Sequence, residues 1–328
     1  MAKLKHGAKP FVKWVGGRSQ LIPTIAQKLP ADFECHDDVT YIEPFVGGGA
    51  VLFWILQKCP NISRAVINDI NADLVTAYNT VKYSPEMLVA VLEDMQKEYR
   101  KLQTEVARKE FYLEVRGRFN GGGLSDVDNT AMLIFLNRTC FNGLYRVNSK
   151  GEFNVPFGRY ANPTICDTAT IYADSEILQR VIVTCGDFEK TEQYVSRETR
   201  TFLYFDPPYR PLDATSSFNS YSKEKFDDEE QVRLKCYFDR LSSMGCWLML
   251  SNSDGKGRNE NDTFFDDLYG DYNIDRVYAV RSVNANPQKR GKLTELMIRN
   301  YTEMLSFRPK SYVDMNVKHP IGVYGESF

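Results

Sequence analysis

The chain places a carboxylate, two prolines and an aromatic ring together at Asp206-Pro207-Pro208-Tyr209, directly after the apolar run Thr201–Phe205. Such a run is typical of a parallel strand buried on both faces, and open α/β sheets bind ligands beyond the carboxyl ends of their strands. An amine conjugated to a ring or carbonyl is a poor nucleophile, because its lone pair is delocalised. Hydrogen bonds from its two N–H groups to the Asp206 carboxylate and the Pro207 carbonyl would localise and aim that lone pair, while Tyr209 would stack on the ring. The alternative is a plain strand-terminating turn, because Asp and Pro both favour turns.

Three strand-and-loop units are predicted before this turn, and the first carries a glycine loop. It runs from the strand Thr40–Phe45 through Gly47-Gly48-Gly49 into a buried helix, Ala50–Leu56. Glycines after a strand let a ligand approach the backbone, but many tight strand-to-helix turns also need glycine. The loop alone therefore leaves a cofactor role and a plain turn as open alternatives.

The second and third units each bring an acidic residue to the end of a strand. The strand Ala65–Ile70 contains Asp69 and precedes a helical pattern over Asn71–Thr80, and a third apolar strand leads into Asp187 and Phe188. Strand, glycine loop, helix, strand and acid in this order are typical of a nucleotide pocket. We expect Asp69 to hold the ribose hydroxyls of an adenosine-containing cofactor, with Asp187 and Phe188 against its adenine. The alternative for Asp69 is a helix N-cap.

A segment of different character separates the second unit from the third. It begins with a charged helical run over Pro85–Phe119 and becomes dense in Arg, Asn, Gly and aromatic residues. Alternating strands and helices predict a parallel sheet with helices on both sides. We therefore predict an α/β fold in which residues 1–82 and 166–328 form the sheet domain and residues 83–165 form an inserted, mainly helical domain.

Composition narrows the class of protein. The 328 residues carry 41 Lys and Arg against 43 Asp and Glu, a formal net charge of -2, so a polyanionic partner must be met by a local basic surface. The 7 cysteines are scattered without paired spacing, which predicts reduced thiols and neither disulfides nor a metal site. No segment has the length of a membrane span and the basic N-terminus lacks an apolar signal region, so we expect an unsecreted, cytoplasmic protein.

Together these motifs resemble those of Dam-type DNA adenine N6-methyltransferases, the alpha class of amino-methyltransferases, over nearly the whole chain. The matching segments are Lys13–Arg18, Glu43–Gly49, Asn68–Asn71, Leu136–Arg146, Glu152–Tyr160 and Asp206–Tyr209. One departure is Arg18, where the family usually has lysine, which keeps the charge but changes the hydrogen-bond geometry. The resemblance implies a Rossmann-like, S-adenosylmethionine-dependent methyltransferase sheet with the insertion as its DNA-recognition domain.

Carried over position by position, the resemblance implies three sets of site residues. The catalytic set is Asp206, Pro207, Pro208 and Tyr209. The cofactor set is Trp14, Gly16, Arg18, Glu43, Pro44, Phe45, Gly47, Gly49, Asp69, Ile70, Asp187, Phe188 and Asp206. The DNA set is Lys13, Asn137, Arg138, Phe141, Asn142, Gly143, Leu144, Arg146, Asn154, Pro156, Arg159, Lys289 and Arg290. The implied cofactor is S-adenosylmethionine and the implied partner is double-stranded DNA.

Aromatic residues of the insertion have two different expected roles. The resemblance implies that Lys13 touches the outer guanine of the target and that Phe141 and Asn142 enter the stack beside an extruded adenine, where an inserted ring fills the space left by a flipped base. For Phe153 and Phe157 we expect a place in a small hydrophobic core instead.

Base recognition is expected from a second group in the insertion. The resemblance implies that Leu144, Arg146, Pro156 and Arg159 read bases in a GATC sequence, in keeping with Arg–guanine pairing and apolar contact with the thymine methyl. The alternative for both arginines is a solvated or phosphate-contacting face. The basic pair Lys289–Arg290 is expected to grip phosphate, with a plain exposed loop as its alternative.

The expected reaction is methyl transfer to N6 of an adenine flipped out of duplex DNA, by a monomer and without a metal. A cognate restriction endonuclease is a candidate partner. The same chemistry on another DNA site, on RNA adenine or on protein glutamine is one alternative, and a DNA-binding protein without catalysis is another. The loop Ala214–Tyr221 is predicted to be mobile without DNA and to order over the target strand.

Overall fold

The computed structural model describes residues 7–14, 18–210, 226–257, 259–279 and 293–302. Four predicted features lie outside the described residues: Gly16, the side chain of Arg18, the loop Ala214–Tyr221 and the basic pair Lys289–Arg290. The other candidate site residues lie within them.

A single mixed sheet forms the centre of the described part of the chain. Its strands are β1 (Val39–Glu43), β2 (Ile62–Asp69), β3 (Val181–Cys185), β4 (Arg200–Phe205), β5 (Trp247–Ser253), β6 (Asn273–Ala279) and β7 (Leu293–Arg299). They lie in the order β3-β2-β1-β4-β5-β7-β6; β1 to β5 are parallel, and β7 is antiparallel to both of its neighbours. The predicted α/β fold is therefore confirmed.

The two central strands, β1 and β4, are buried on both faces. Side chains alternate across a strand, so Phe202 and Tyr204 of β4 enter one hydrophobic core while Leu203 and Phe205 enter the other. Ile42 of β1 pairs with Leu203, so the loop after β1 and the turn after β4 leave the sheet side by side. The strand order reverses between these two strands, and ligands of open α/β sheets bind at such a switch point.

Helices cover both faces of the sheet and build the insertion. They are α1 (Ile22–Gln27), α2 (Ala50–Lys58), α3 (Ala72–Tyr83), α4 (Pro85–Lys101), α5 (Glu105–Gly121), α6 (Asp126–Thr139), α7 (Thr168–Leu178), α8 (Asp228–Ser243) and α9 (Phe264–Leu268). Short 3₁₀ turns occur at Arg18–Gln20, Phe33–Cys35, Phe141–Gly143 and Phe188–Tyr194.

The charged helical run predicted over Pro85–Phe119 is two helices, α4 and α5, rather than one. Leu102 has extended backbone angles, φ -76° and ψ 108°, which end α4. The Thr104 hydroxyl then accepts a hydrogen bond from the Ala107 N–H at 3.1 Å and caps the start of α5. The break lets both helices pack separately against α6.

The insertion packs on the sheet domain rather than standing apart from it. Helix α6 lies against both α3 and the other insertion helices. The Thr130 hydroxyl of α6 is hydrogen-bonded to the Thr80 hydroxyl of α3 at 3.0 Å, and the rings of Phe135 and Tyr99 meet edge to face at 5.8 Å. One hydrophobic core is therefore continuous across the predicted boundary between residues 82 and 83.

Residues 140–160 form a compact loop on α6. It is closed by β-bridges between Cys140 and Phe157 and between Val147 and Phe153. Phe153 is buried, and the Phe157 ring lies 5.4 Å from that of Tyr112. The predicted core role of these two phenylalanines is confirmed.

Within the described ranges, none of the helices is both long and apolar enough to cross a membrane. All 7 cysteines belong to those ranges and are free thiols. In the same part of the chain, no group of three His, Cys, Asp or Glu side chains is arranged to hold a metal ion.

Candidate active site

The Asp-Pro-Pro-Tyr turn leaves the sheet at the end of β4. Asp206 and Tyr209 are half-buried, Pro207 is buried and Pro208 is exposed. The Tyr209 hydroxyl donates a hydrogen bond to Glu295 Oε2 of β7 at 3.0 Å, and Glu295 is itself buried. The turn therefore presents a carboxylate and a tethered ring at the switch point of the sheet.

Glu43 closes the neighbouring strand, β1, and is only 2 % exposed. The Tyr41 hydroxyl donates to Glu43 Oε2 at 2.7 Å. Burial raises the pKa of Glu43 well above its usual value; the Tyr41 hydrogen bond opposes that rise and the nearby Asp206 charge adds to it. The protonated form of Glu43 is favoured, which limits the negative charge that gathers beside Asp206.

The glycine loop after β1 is shaped by backbone geometry that side chains do not tolerate. Gly47 and Gly49 have φ of 49° and 74°, and a Cβ on Gly49 would lie 2.5 Å from the Tyr78 hydroxyl oxygen. Tyr78 donates to the Gly47 carbonyl at 2.9 Å, and the Gly47 N–H donates to Asp69 Oδ2 at 3.1 Å. The result is a close-fitting loop of half-buried and buried glycines, a form that lets a ligand approach the main chain.

Asp69 lies beside this loop, at the end of β2. Its Oδ1 accepts the Asn71 N–H at 2.9 Å, while Asn71 itself caps α3 by accepting the Leu74 N–H. The alternative role of Asp69 as a helix N-cap is therefore wrong. Burial raises the pKa of Asp69 and the backbone N–H groups oppose that rise. A carboxylate has about four acceptor sites and three backbone N–H groups act on this one, so Asp69 can still accept a hydroxyl group. Ile70 beside it is 50 % exposed.

Pro44 and Phe45 line the same edge of the sheet. Pro44 is buried, and its carbonyl accepts a hydrogen bond from Asn68 Nδ2 at 3.1 Å. The same Asn68 amide donates to the Gly186 carbonyl at 2.8 Å, which ties the loop after β1 to the loop after β3. The half-buried Phe45 ring lies 5.3 Å from that of Phe188.

Asp187 and Phe188 are more enclosed than the sequence suggested. Arg233 of α8 forms a bidentate pair with Asp187, at 3.1 and 2.7 Å, and its guanidinium lies 4.2 Å from the centre of the Phe188 ring. These hydrogen bonds hold the pKa of Asp187 below its usual value. Phe188 is buried, so little of its ring is open to a ligand.

Trp14 connects the glycine loop to the insertion. Its indole ring lies against Gly47, its Cβ lies against Gly48, and the indole stacks on the Tyr145 ring, with centroids 4.8 Å apart and an interplanar angle of 25°. The Tyr145 hydroxyl donates to Asp73 of α3 at 3.2 Å. Trp14 therefore packs between the glycine loop and the loop 140–160.

Asn137 and Arg138 face the protein rather than the exposed surface, which differs from the expected DNA contacts. The buried Asn137 side chain accepts the Lys13 N–H at 2.7 Å and donates to the carbonyls of Lys13 and Gly143 at 2.8 and 3.0 Å. Arg138 donates to the Phe11 carbonyl at 2.8 Å. Gly143, with φ of 65°, lets Lys13 pass closely. These residues hold the segment that carries Lys13, whose own side chain is exposed.

The remaining DNA candidates that the structure describes lie in the loop 140–160, and most of them are exposed. Phe141 is 53 % exposed, and Asn142 and Arg159 are exposed with φ of 56° and 60°, uncommon for residues other than glycine. Arg146 is exposed, and its Nε donates to Asn154 Oδ1 at 2.7 Å. Pro156 is exposed and Leu144 half-buried. Arg159 is 3.5 Å from Glu105 in an exposed ion pair.

Several residues at the site were not singled out from sequence. They are Tyr78, Tyr145, Gln231, Arg233, Asn252 and Glu295. Gln231 had a usable signal, because it occupies the apolar stripe of α8 with Leu234 and Leu241. The pairing of Tyr209 with Glu295 had none, because it depends on the order of the strands.

Comparison with known proteins finds a family model and several relatives that match most of this chain. The family model described as D12 class N6 adenine-specific DNA methyltransferase matches residues 14–283. The chain is 46% identical over 296 residues to the type II methyltransferase M.MjaIII of Methanocaldococcus jannaschii, covering 89% of this chain and 99% of that protein. It is 40% identical over 306 residues to the type II methyltransferase M1.LlaDCHI of Lactococcus lactis subsp. cremoris, covering 92% and 98%. It is 32% identical over 296 residues to the DNA adenine methylase of Haemophilus influenzae, covering 90% and 94%.

Proposed function

Because this chain belongs to the family of D12 class N6 adenine-specific DNA methyltransferases, we propose that it moves a methyl group from S-adenosylmethionine to an adenine flipped out of duplex DNA, within the sequence GATC. The observation that supports this most is the meeting of two segments at one switch point. The glycine loop follows β1, the Asp-Pro-Pro-Tyr turn follows β4, and these strands are neighbours.

The turn supplies the acceptors that the reaction needs. The Asp206 carboxylate and the Pro207 carbonyl accept hydrogen bonds from the adenine N6 amine, which localises its lone pair and favours the positive charge that develops on nitrogen. Tyr209 stacks on the flipped base, and its tether to Glu295 fixes the position of the outer end of the ring. The proton lost from N6 leaves toward Asp206.

The cofactor proposal depends on the fit of the cradle beside this turn. S-adenosylmethionine, when bound, supplies a methyl group on a positively charged sulfur. The tight glycine loop lets such a ligand come close to the main chain, Asp69 accepts ribose hydroxyls, and Ile70 offers an exposed apolar surface to adenine. The rest of the proposed cofactor site is formed by Glu43, Pro44, Phe45 and Trp14. Asp187 and Phe188 support this site through the contact between the Phe188 and Phe45 rings.

Contact with DNA is proposed for the exposed surface of the loop 140–160 and for Lys13. Phe141 would fill the space left by the flipped adenine, and Arg146 and Arg159 would read guanines or hold phosphates. Asn137, Arg138 and Gly143 would act indirectly, by holding the segment of Lys13. The target GATC depends on the resemblance to Dam-type enzymes, several of which appear among the relatives under the name DNA adenine methylase.

Two relatives are named type II methyltransferases, which supports a place for this chain in a restriction-modification system with a cognate endonuclease. We propose that the protein acts as a monomer, because one chain carries both the cofactor cradle and the recognition loop. We also propose that it is cytoplasmic and needs no metal.

The test is transfer of labelled methyl from S-adenosylmethionine into two duplexes that differ only by GATC or a scrambled site. An RNA of the same sequence and the variant Asp206→Ala, checked for unchanged thermal denaturation, serve as controls. Label in the GATC duplex alone, lost in the variant, supports the proposal. Label in both duplexes removes the GATC assignment, label in RNA changes the substrate class, and no label with any nucleic acid removes the proposed activity.

A further inference from the structure

A buried chain of two amides runs from the interior to the Asp-Pro-Pro-Tyr turn. Gln231, in the first turn of α8, donates from Nε2 to the Pro208 carbonyl at 3.1 Å. Asn252 of β5 donates from Nδ2 to Gln231 Oε1, also at 3.1 Å. Gln231 is 1 % exposed and Asn252 is 0 % exposed, so neither amide has water as an alternative partner.

The direction of this chain is set at both ends by backbone groups. The Pro208 carbonyl can only accept, so Gln231 must present its NH₂ there and turn its oxygen toward Asn252. At the other end, Asn252 Oδ1 receives the N–H groups of Ser253 at 2.8 Å and Arg210 at 3.3 Å, which can only donate. Flipping either amide would therefore set two acceptors or two donors against each other.

The turn is also held immediately after its tyrosine. The Ser253 hydroxyl donates to the Arg210 carbonyl at 2.8 Å. The Arg210 guanidinium pairs with Asp228 at 2.7 Å and with Asp262 at 2.9 Å. Both ends of the segment from Pro208 to Arg210 are therefore attached to β5 and to α8.

Proline chemistry shows why the Pro208 carbonyl is the place where such a bond matters. The two rings lock φ of Pro207 and Pro208, and a residue before proline is confined in ψ, which restricts Asp206 and Pro207. Neither effect restricts ψ of Pro208, the rotation that joins the two prolines to Tyr209. The hydrogen bond from Gln231 acts on the carbonyl that this rotation turns.

We propose that Gln231 and Asn252 are positioning residues for methyl transfer: they fix the ψ rotation of Pro208 and so hold Tyr209 at the angle the flipped adenine requires. This inference depends on the proposed function, because it assigns the turn to catalysis. Neither residue touches a substrate in this role.

The test compares single-turnover methyl transfer, at saturating cofactor and GATC duplex, for wild type, Gln231→Met, Gln231→Glu and Asn252→Asp. Asn300→Asp is the matched control, because Asn300 makes three hydrogen bonds, to Leu248, Ser242 and Cys246, near the opposite end of β5. We expect a rate constant lower by about ten- to a hundredfold in the first three variants, since small misplacements at a reacting centre cost that much. The Michaelis constants and the control should change far less.

The pH dependence of the methyl-transfer rate distinguishes a positioning role of Gln231 from a general loss of stability. A protonated glutamic acid at position 231 has an O–H donor for the Pro208 carbonyl and a C=O acceptor for Asn252, as glutamine does. The rate of Gln231→Glu relative to wild type should therefore rise as pH falls, whereas the relative rate of Gln231→Met should stay constant.

Unchanged rate constants in Gln231→Met and Asn252→Asp, or a loss that Asn300→Asp reproduces to the same extent, would overturn the positioning role. A Gln231→Glu deficit that is insensitive to pH would also count against it. If wild type methylates no duplex at all, the proposed function fails first, and the outcome is distinct because it appears before any variant is made.

Discussion

The Tyr209 hydroxyl and the Glu295 carboxylate are 3.0 Å apart and hydrogen-bonded, which joins the turn after β4 to β7, two strands away in the sheet. The ring that is proposed to stack on adenine therefore has its outer end attached to an antiparallel strand. This contact separates two contributions of Tyr209, the ring face and the tether.

The variants Tyr209→Ala and Tyr209→Phe should divide these contributions. Loss of the ring should lower methyl transfer by about ten- to a hundredfold, because stacking of a base on an aromatic side chain contributes about 1–3 kcal/mol. Loss of the tether alone should cost about two- to tenfold, the scale of one hydrogen bond. Single-turnover rates measure both, with Tyr301→Phe as the control, since Tyr301 loses a comparable hydrogen bond to the Lys28 carbonyl. Equal losses in the two Tyr209 variants would contradict a stacking role.

Arg146 and Asn154 should act together in target choice, because Asn154 Oδ1 accepts the Arg146 Nε–H at 2.7 Å and sets the direction of the guanidinium. Arg146→Ala should cost about 1–3 kcal/mol of discrimination at one base pair if the guanidinium reads a base. Asn154→Ala should weaken the same discrimination to a smaller extent. Methyl transfer to GATC duplexes with single base-pair changes measures this. A loss that is uniform across sequences would indicate a phosphate contact instead.

Gly49→Ala should destabilise the fold by about 1–3 kcal/mol, because the residue has φ of 74° and the new Cβ would lie 2.5 Å from the Tyr78 hydroxyl oxygen. Gly117→Ala is the control: it lies in α5 with no atom within 4 Å of an added Cβ, and should stabilise by about 0.5–1 kcal/mol. The double variant Gly49→Ala with Tyr78→Phe should be less than additive, since it removes the contact. Chemical denaturation measures all three, and additivity would place the whole cost in the backbone.

Asp174 of α7 should make stability fall with rising pH. Burial raises its pKa to about 8, the nearby Asp167 charge adds to this, and the Lys9 N–H and charge oppose it. The folded state therefore binds more protons than the unfolded state between about pH 4 and pH 8, and each pH unit in that window costs up to about 1.4 kcal/mol. Replacement of Asp174 by Asn should reduce the change in the free energy of unfolding with pH. Denaturation midpoints of wild type and Asp174→Asn across this range measure it, and parallel curves would contradict the prediction.

The sheet and its Asp-Pro-Pro-Tyr turn could be predicted because their signals are contiguous in sequence. A buried strand such as β4 is a run of apolar residues, and the prolines that follow mark its end. The glycine loop after β1 and Asp69 at the end of β2 could be predicted for the same reason, because each directly follows an apolar strand pattern in the sequence. Asp69 was distinguishable from a cap only in the structure, because the residue that caps α3 is Asn71, two positions later.

Contacts between distant elements could not be predicted in this way. Asn137 has the residue type of a base reader, but its neighbours in α6 are buried and its side chain faces Lys13, which lies 124 residues away in sequence. Gln231 meets Asn252 because α8 packs on β5, and no local pattern states which strand a helix covers. Both Asn137 and Gln231 are polar residues among the buried apolar residues of a helix, and this pattern could have indicated that their side chains bind other parts of the protein.

The core shared by α3 and α6 bears on how such an enzyme could change its target sequence. Exchange of the whole insertion would cut through the Thr80–Thr130 hydrogen bond and the core that α6 shares with α3, so a transplanted insertion would have to repack α3 as well. The exposed residues of the loop 140–160 are under no such constraint. New specificities should therefore arise by point substitution on that loop more readily than by domain exchange, with the chemistry at the sheet edge left untouched.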